Sequence, residues 1–123
     1  MTTRNYEPSE EPETEWEAFA LRFVEALHSH DFKAAHEMLS LELRESHSVE
    51  ELGRKTARVH SFEFNPKEDC WIGGSWGPGP LSHRSAVGHV YINVGGDNAE
   101  AITPTVLKDG EGFSIGTIDW GRP

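Results

Sequence analysis

The chain has 123 residues, of which 36% are hydrophobic and 10% aromatic, and this composition predicts one globular domain rather than a disordered chain. The formal net charge of −10, without a clustered basic surface, predicts no binding to nucleic acid or to anionic membranes. No apolar run approaches the roughly 20 residues that span a bilayer, and no apolar leader follows Met1, so the expected location is the cytoplasm.

The N-terminal residues 1–12 are predicted to be a disordered acidic tail, and residues 13–123 a single domain. Among the first 17 residues, six glutamates stand against one arginine, so about half of the net charge lies there. Pro8 and Pro12 interrupt regular structure, and the glutamates repel one another.

The first predicted helix begins at Thr14, because Thr14 and Glu17 have the spacing of a capping box. Apolar residues then recur at helical spacing on one face, which predicts packing on a core, and the helix is expected to end near His30. This apolar stripe consists of Trp16, Phe19, Ala20, Phe23, Val24 and Leu27.

Two further helices are predicted before the hydrophobic period changes. Asp31 is the expected N-cap of a short second helix. The inner face of this helix carries Phe32, Ala35, His36 and Leu39. Residues 40–47 are predicted to form a turn, with a helix as the alternative. Ser48 and Glu51 repeat the capping-box spacing and open a third helix to about Arg58.

The second half of the chain predicts strands separated by turns. Residues 60–64 alternate between apolar and polar, whereas the glycine- and proline-rich residues 73–80 are expected to form a loop. Three later strands are predicted at residues 87–94, 99–107 and 113–120. Helices followed by strands indicate an α+β domain, with three N-terminal helices packed on a curved antiparallel sheet.

The last two predicted strands each contain an irregular feature. Pro104 cannot donate a ladder hydrogen bond, so it is expected at a sheet edge or a bulge. By simple alternation, Phe113 and Ile115 fall on one strand face, and Ile118 and Trp120 on the other. Either a bulge shifts the alternation or both faces are covered, and the second alternative predicts a homodimer through the sheet.

Three parts of the chain share a pattern with one superfamily: residues 19–27, residues 31–40 with 43–44 and 48–52, and the strand pair that ends at 115–120. By these parts the chain resembles the nuclear transport factor 2-like superfamily. The resemblance spans most of residues 14–120. It implies a cone-like, cystatin-like fold with a central pocket between helices and sheet, and dimerisation through the other sheet face. It implies no single function, because such folds serve dehydratases, isomerases, cyclases, transport factors and immunity proteins.

Acid–base enzymes on such a fold place an Asp, His or Tyr in the pocket. The catalytic candidates in this chain are His36, His83 and Asp119. No second carboxylate stands at a spacing that would make a matched acid–base pair with Asp119. His89 and Tyr91 alternate with aliphatic residues of their strand, so they are predicted to point away from the pocket.

A small apolar ligand is the other expected occupant of the pocket. The residues predicted to line it are Phe23, Leu27, His36, Trp71 and Trp76. The two tryptophans are interpreted as an aromatic lid, with simple packing as the alternative. No histidine or cysteine pair has the spacing of metal ligands, so no metal and no other cofactor is predicted.

Three functions follow from these observations. The leading hypothesis is a non-catalytic domain, dimeric through its sheet, with a pocket for a small apolar ligand. One alternative is an acid–base enzyme of the dehydratase, isomerase or cyclase type. The other is an interaction or immunity-type protein that binds a basic partner, because the acidic charge would attract it.

Overall fold

The computed structural model describes residues 14–59, 70–79, 84–94 and 100–120, which form four helices followed by four strands. The helices are α1 (Glu15–His28), α2 (Phe32–Glu37), α3 (Leu41–Ser46) and α4 (Val49–Val59). The strands are β1 (Cys70–Trp76), β2 (Ala86–Val94), β3 (Glu100–Asp109) and β4 (Gly112–Trp120), paired antiparallel in chain order. The arrangement is therefore α+β. The predicted tail at 1–12 and the alternating residues 60–64 lie outside the described residues.

The described residues contain four helices, one more than the three predicted. Residues 41–46 form α3, the alternative to the turn predicted at 40–47. The Ser40 hydroxyl caps this helix by accepting the Leu43 amide at 3.2 Å, and Arg44 Nη2 donates to the Glu37 carbonyl at 2.6 Å. Because α3 has six residues and none of them is buried, it leaves no apolar periodicity to read in the sequence.

The start of α1 confirms the predicted capping box. The Thr14 hydroxyl accepts the Glu17 amide at 3.2 Å, and Glu17 Oε1 accepts the Thr14 amide at 3.0 Å. The Glu17 carboxylate also accepts the Ser75 hydroxyl of β1, so this helix end is tied to the sheet. Further along α1, the fully buried side chains are Ala20, Phe23, Val24 and Leu27.

The end of α1 is a Schellman motif whose left-handed residue is a histidine. His30 has φ of +64°, and its amide donates to the Leu27 carbonyl at 3.2 Å. The Asp31 amide donates to the Ala26 carbonyl at 2.9 Å, which completes the motif. A left-handed conformation costs a non-glycine residue about 1 kcal/mol.

We expect His30→Gly to raise the free energy of unfolding by about 0.5 to 1 kcal/mol, because glycine adopts this conformation without strain. Denaturant titration measures the change. Ser29→Gly is the matched control and should lower stability, because Ser29 has φ of −87° and gains nothing from glycine. A loss of stability in His30→Gly would mean that the stack of His30 on Phe32, with ring centroids 5.6 Å apart, outweighs the strain.

Strand β1 runs into residues 73–80, so the prediction of a loop there is wrong for the first half of that stretch. Gly73 lies at a bulge of β1, between two pairs of ordinary register. The side chains of Tyr91 and Asn93 occupy the space that a Cβ at Gly73 would need. Glycine therefore permits the close approach of two strands here, rather than ending the strand.

Pro104 lies in β3, an interior strand flanked by β2 and β4, so the prediction of an edge position is wrong. The pairs between β2 and β3 pass from His89–Thr105 to Ile92–Ile102 without a change of register. Between these two pairs the ladder of β2 and β3 is interrupted, at the place where Pro104 has no amide hydrogen to donate. The Pro104 ring is fully buried.

A bulge at Gly116 determines which face of the sheet each apolar residue of β4 occupies. The pairing with β3 jumps from Thr117 to Ile115, which leaves Gly116 without a cross-strand partner. The extra residue turns Ile118 and Trp120 to the face of Ile115, where both pack against the core. The first of the two alternatives is therefore correct, and β4 gives no support for a second covering subunit.

The segment between α2 and α3 pairs with β4 next to this bulge. The Ile115 amide donates to the Met38 carbonyl at 2.8 Å, and the Ser40 amide donates to the Ile115 carbonyl at 2.8 Å. Leu39, between them, is buried and forms a parallel bridge to Ile115. The chain thus lies along the side of β4 that does not face β3.

The core lies between the helices and one face of the sheet. The fully buried strand residues on this face include Val90, Ile92, Val94, Ile102, Val106 and Ile115. On β2 they alternate with His89, Tyr91 and Asn93, which are half-buried on the opposite face. His89 and Tyr91 therefore point away from the helices. No helix in the described part of the chain is long and apolar enough to cross a membrane.

Candidate binding face of the sheet

The sheet face that points away from the helices, here called the outer face, carries a row of side chains that crosses all four strands. Trp76 of β1 pairs with His89 of β2, His89 pairs with Thr105 of β3, and Thr105 pairs with Thr117 of β4. Directly opposed residues of antiparallel strands place their side chains on the same face. We call these four residues the cross-strand row.

Contacts connect every member of the cross-strand row. The Trp76 and His89 rings are stacked, with centroids 5.5 Å apart and planes inclined by 30°. His89 Nδ1 lies 2.7 Å from Thr105 Oγ1, and Thr117 Oγ1 donates to Thr105 Oγ1 at 2.8 Å. Trp76 is nevertheless 51% exposed. The row therefore presents an indole that is held in place yet open to a partner.

A second feature of the outer face is an open notch on β1. Trp71 and Trp76 both lie on this face, and their partners on β2 are four residues apart, which separates them by about 13 Å. Between them Gly74 pairs with Tyr91, and a Cβ placed at Gly74 would meet no heavy atom of the described residues within 4 Å. We call Trp71, Gly74, Trp76 and Tyr91 the tryptophan notch.

The charge of the outer face is low and negative. Ile118 and Trp120 pack against the core, so Asp119 between them points to the outer face, where it is exposed. Lys108 is the only lysine or arginine in the four described strands, and its Nζ lies 5.4 Å from the Phe113 ring. Such a face repels anions and accepts neutral or basic groups.

The structure places the predicted ligand-binding residues on two sides of the sheet. Phe23 and Leu27 are fully buried in the core, whereas Trp71 and Trp76 lie on the outer face. His36 is half-buried on α2, which packs against α1 and α4. The structure therefore does not bring the five residues together around one cavity.

The catalytic candidates are not brought together either. His36 lies among the helices, and Asp119 lies on the outer face of β4. His83 is outside the described residues. Across residues 14–59, 70–79, 84–94 and 100–120, no group of three or more His, Cys, Asp or Glu side chains could hold a metal ion.

No sequence pattern predicts that Thr105 and Thr117 lie beside His89. Threonine is an ordinary strand residue, and only the register of three strands places these hydroxyls beside one imidazole. The alternation of Ala101, Thr103 and Thr105 with larger apolar residues is the one signal of a more polar face on β3.

Comparisons with models of known protein families, with curated proteins and with solved structures find no match for this chain. Membership of the nuclear transport factor 2-like superfamily stays a prediction from the resemblance of three segments. The class that the geometry defines is an α+β domain with an aromatic and hydroxyl-bearing outer sheet face.

Proposed function

We propose that this chain is a non-catalytic binding domain of the nuclear transport factor 2-like type, and that it binds through the outer face of its sheet. The observation that carries the proposal is Trp76, which is 51% exposed yet fixed by its stack on His89. Tryptophan is enriched at recognition hot spots because one rigid side chain buries a large apolar area and offers an N–H donor.

A comparison within the chain supports this interpretation of Trp76. Trp16 is the tryptophan that packs inward from α1, where its ring covers Gly88 of β2. Trp76 belongs to the opposite sheet face and covers no part of the helix-side core. An exposed tryptophan with an ordered position is more typical of a recognition surface than of core packing.

The acid–base enzyme has less support than the binding domain. General acid–base catalysis needs its groups within hydrogen-bond reach of one substrate. His36 among the helices and Asp119 on the outer face are separated by the sheet, so they cannot act on the same atom.

Two further proposals concern what this domain binds: a second copy of the chain, or a small apolar ligand. A homodimer through the outer face would bury Trp76, and the resemblance supports it although β4 does not. A small apolar ligand between helices and sheet would have to displace Phe23 or Leu27, because both side chains are fully buried. The first of these occupants competes directly with any other partner of the outer face.

We expect Trp76→Ala to abolish association through the outer face while the domain stays folded, because the ring is half exposed. Sedimentation velocity over the micromolar range measures self-association. Capture on tagged protein from the native host, at low and at high salt, measures binding of other partners. Leu41→Ala is the control, because Leu41 is 74% exposed on α3, away from the sheet face.

Equal association by the wild-type chain and Trp76→Ala, with matching circular dichroism spectra, would contradict the proposal. Loss of association in Leu41→Ala alone would place the binding surface on α3 instead.

A further inference from the structure

We propose that Thr105 is a positioning residue for Trp76, although Thr105 is itself buried. Its hydroxyl holds the His89 ring, and the His89 ring holds the indole that a partner of the outer face would meet. The inference rests on the proposed function, since it names a second residue on which binding through the outer face depends. It follows from the burial of Thr105, from its hydrogen bonds and from the place of Trp76 at the edge of the sheet.

The Trp76 ring has few neighbours that could fix it. Trp76 is the last residue of β1, and β2 is the one neighbour of β1 in the described part of the sheet. The side chain is 51% exposed, and the residue that follows is Gly77, which offers no side chain to pack against. The stack on His89, with ring centroids 5.5 Å apart, is therefore the contact across the sheet that orients the indole.

The stack orients the indole only if the imidazole itself is fixed. The second side-chain torsion of histidine is broad, so the backbone of β2 alone leaves the plane of the ring loosely defined. His89 Nδ1 lies 2.7 Å from Thr105 Oγ1, which is the length of a good hydrogen bond. This contact selects one orientation of the ring, and it is the orientation in which the ring stacks on Trp76.

Thr105 is a firm anchor for the imidazole. It lies on β3, an interior strand of the sheet, and it is 6% exposed. Its branched side chain has few rotamers. Thr117 Oγ1 donates to Thr105 Oγ1 at 2.8 Å, and one hydroxyl can donate a hydrogen bond while it accepts another, so it can serve both neighbours. Order therefore passes from the middle of the sheet to the exposed indole.

A fixed indole binds a partner more tightly than a mobile one. A side chain that is mobile in the free protein must be immobilised on binding, which weakens the complex, whereas a side chain that is already ordered avoids most of this loss. We therefore expect removal of the Thr105 hydroxyl to weaken association through the outer face several-fold, up to about tenfold. Removal of the indole in Trp76→Ala should abolish it.

The test compares Thr105→Val with Thr103→Val in the full chain. Valine keeps the branched shape and suits a strand, so both variants should fold, which circular dichroism and denaturant titration check. Thr103 is the matched control, because it lies on the same face of β3, is also 6% exposed, and pairs with Asp119 rather than with His89. Thr105→Ser restores the hydroxyl and should behave like the wild-type chain.

Two measurements are made on each variant. The first is nitrogen-15 relaxation of the Trp76 indole N–H, whose signal is the one that disappears in Trp76→Phe. We expect Thr105→Val alone to lower its order parameter toward the values of about 0.6 or below that mark flexible groups. The second is association, measured in whichever assay of the proposed function responds to Trp76→Ala.

An unchanged order parameter in Thr105→Val would overturn the inference, because other contacts would then hold the His89 ring. An equal fall in Thr103→Val, or no recovery in Thr105→Ser, would also overturn it, because the sheet as a whole would then have loosened. In these cases the proposed function stands as long as Trp76→Ala loses association. If Thr105→Val frees the indole but no assay responds to Trp76→Ala, the proposed function falls and Thr105 still positions Trp76.

Discussion

Replacing Phe23 with alanine should lower the free energy of unfolding by about 3 to 5 kcal/mol. Phe23 is fully buried at the centre of the α1 stripe, and it is among the largest side chains of the core. Truncation removes its transfer free energy and leaves a cavity that the packed neighbours fill only in part. Denaturant titration of the two proteins measures the difference.

Phe19→Ala is the matched control for this prediction. Phe19 lies one turn earlier on α1, is half-buried, and contacts the Phe113 ring at a centroid distance of 5.8 Å. Its truncation should cost roughly half as much, because solvent already reaches the side chain. If Phe23→Ala costs no more than Phe19→Ala, then Phe23 lines an open pocket, as the sequence predicted, rather than a close-packed core.

The second large effect is expected at Gly88, where alanine should cost about 1 to 3 kcal/mol. A Cβ at Gly88 would lie 2.6 Å from the Trp16 ring and 2.7 Å from the Trp76 carbonyl oxygen. The indole is held between α1 and the sheet, and the carbonyl belongs to the neighbouring strand, so neither can move cheaply. This overlap outweighs the gain of about 0.5 to 1 kcal/mol that alanine otherwise brings to a strand.

Gly112→Ala tests whether the effect is specific to this site. Among the described residues, a Cβ at Gly112 meets only the Asp109 carbonyl, at 3.8 Å. The stability of Gly112→Ala should therefore differ from that of the wild-type chain by less than about 0.5 kcal/mol. A double-mutant cycle of Gly88→Ala with Trp16→Leu should show a favourable coupling, because the smaller leucine makes room for the methyl group. Independent, additive costs would show that the indole is not the obstacle.

Local signals predicted much of the helical half of this fold. The capping box of Thr14 and Glu17 and the apolar stripe to Leu27 fixed α1, because both depend only on residues within a few turns. Helix α3 was predicted only as an alternative to a turn, because none of its six residues is fully buried. It is held by the Ser40 cap and by Leu43, which packs partly buried against the core.

The sheet was harder to predict because a glycine can either end a strand or form a bulge within it. At Gly73 and Gly116 it does not end a strand but forms a bulge, and each bulge reverses which residues face the core. The need for a bulge on β4 was visible from the positions of Ile115 and Ile118. The choice between a bulge and a covering subunit could be made only from the pairing register of β4 with β3.

The candidate site was predictable only in part. The alternation of aliphatic and polar residues on β2 indicated that His89 and Tyr91 lie on the face opposite Val90 and Ile92, and the structure has them there. Nothing local connects Trp76 with His89, because 12 residues separate them in the chain and antiparallel register makes them neighbours. The sequence therefore grouped Trp71 and Trp76 with the core residue Phe23, although they belong to the other face of the sheet.

The bridge between Leu39 and Ile115 also bears on how the protein avoids aggregation. An uncovered strand edge offers amide and carbonyl groups on which another chain can add a strand. At Ile115 both groups on that side are already occupied, by the Met38 carbonyl and the Ser40 amide. The link between α2 and α3 therefore blocks the addition of a further strand at this point of β4. Another chain could pair with β4 there only after the link had detached.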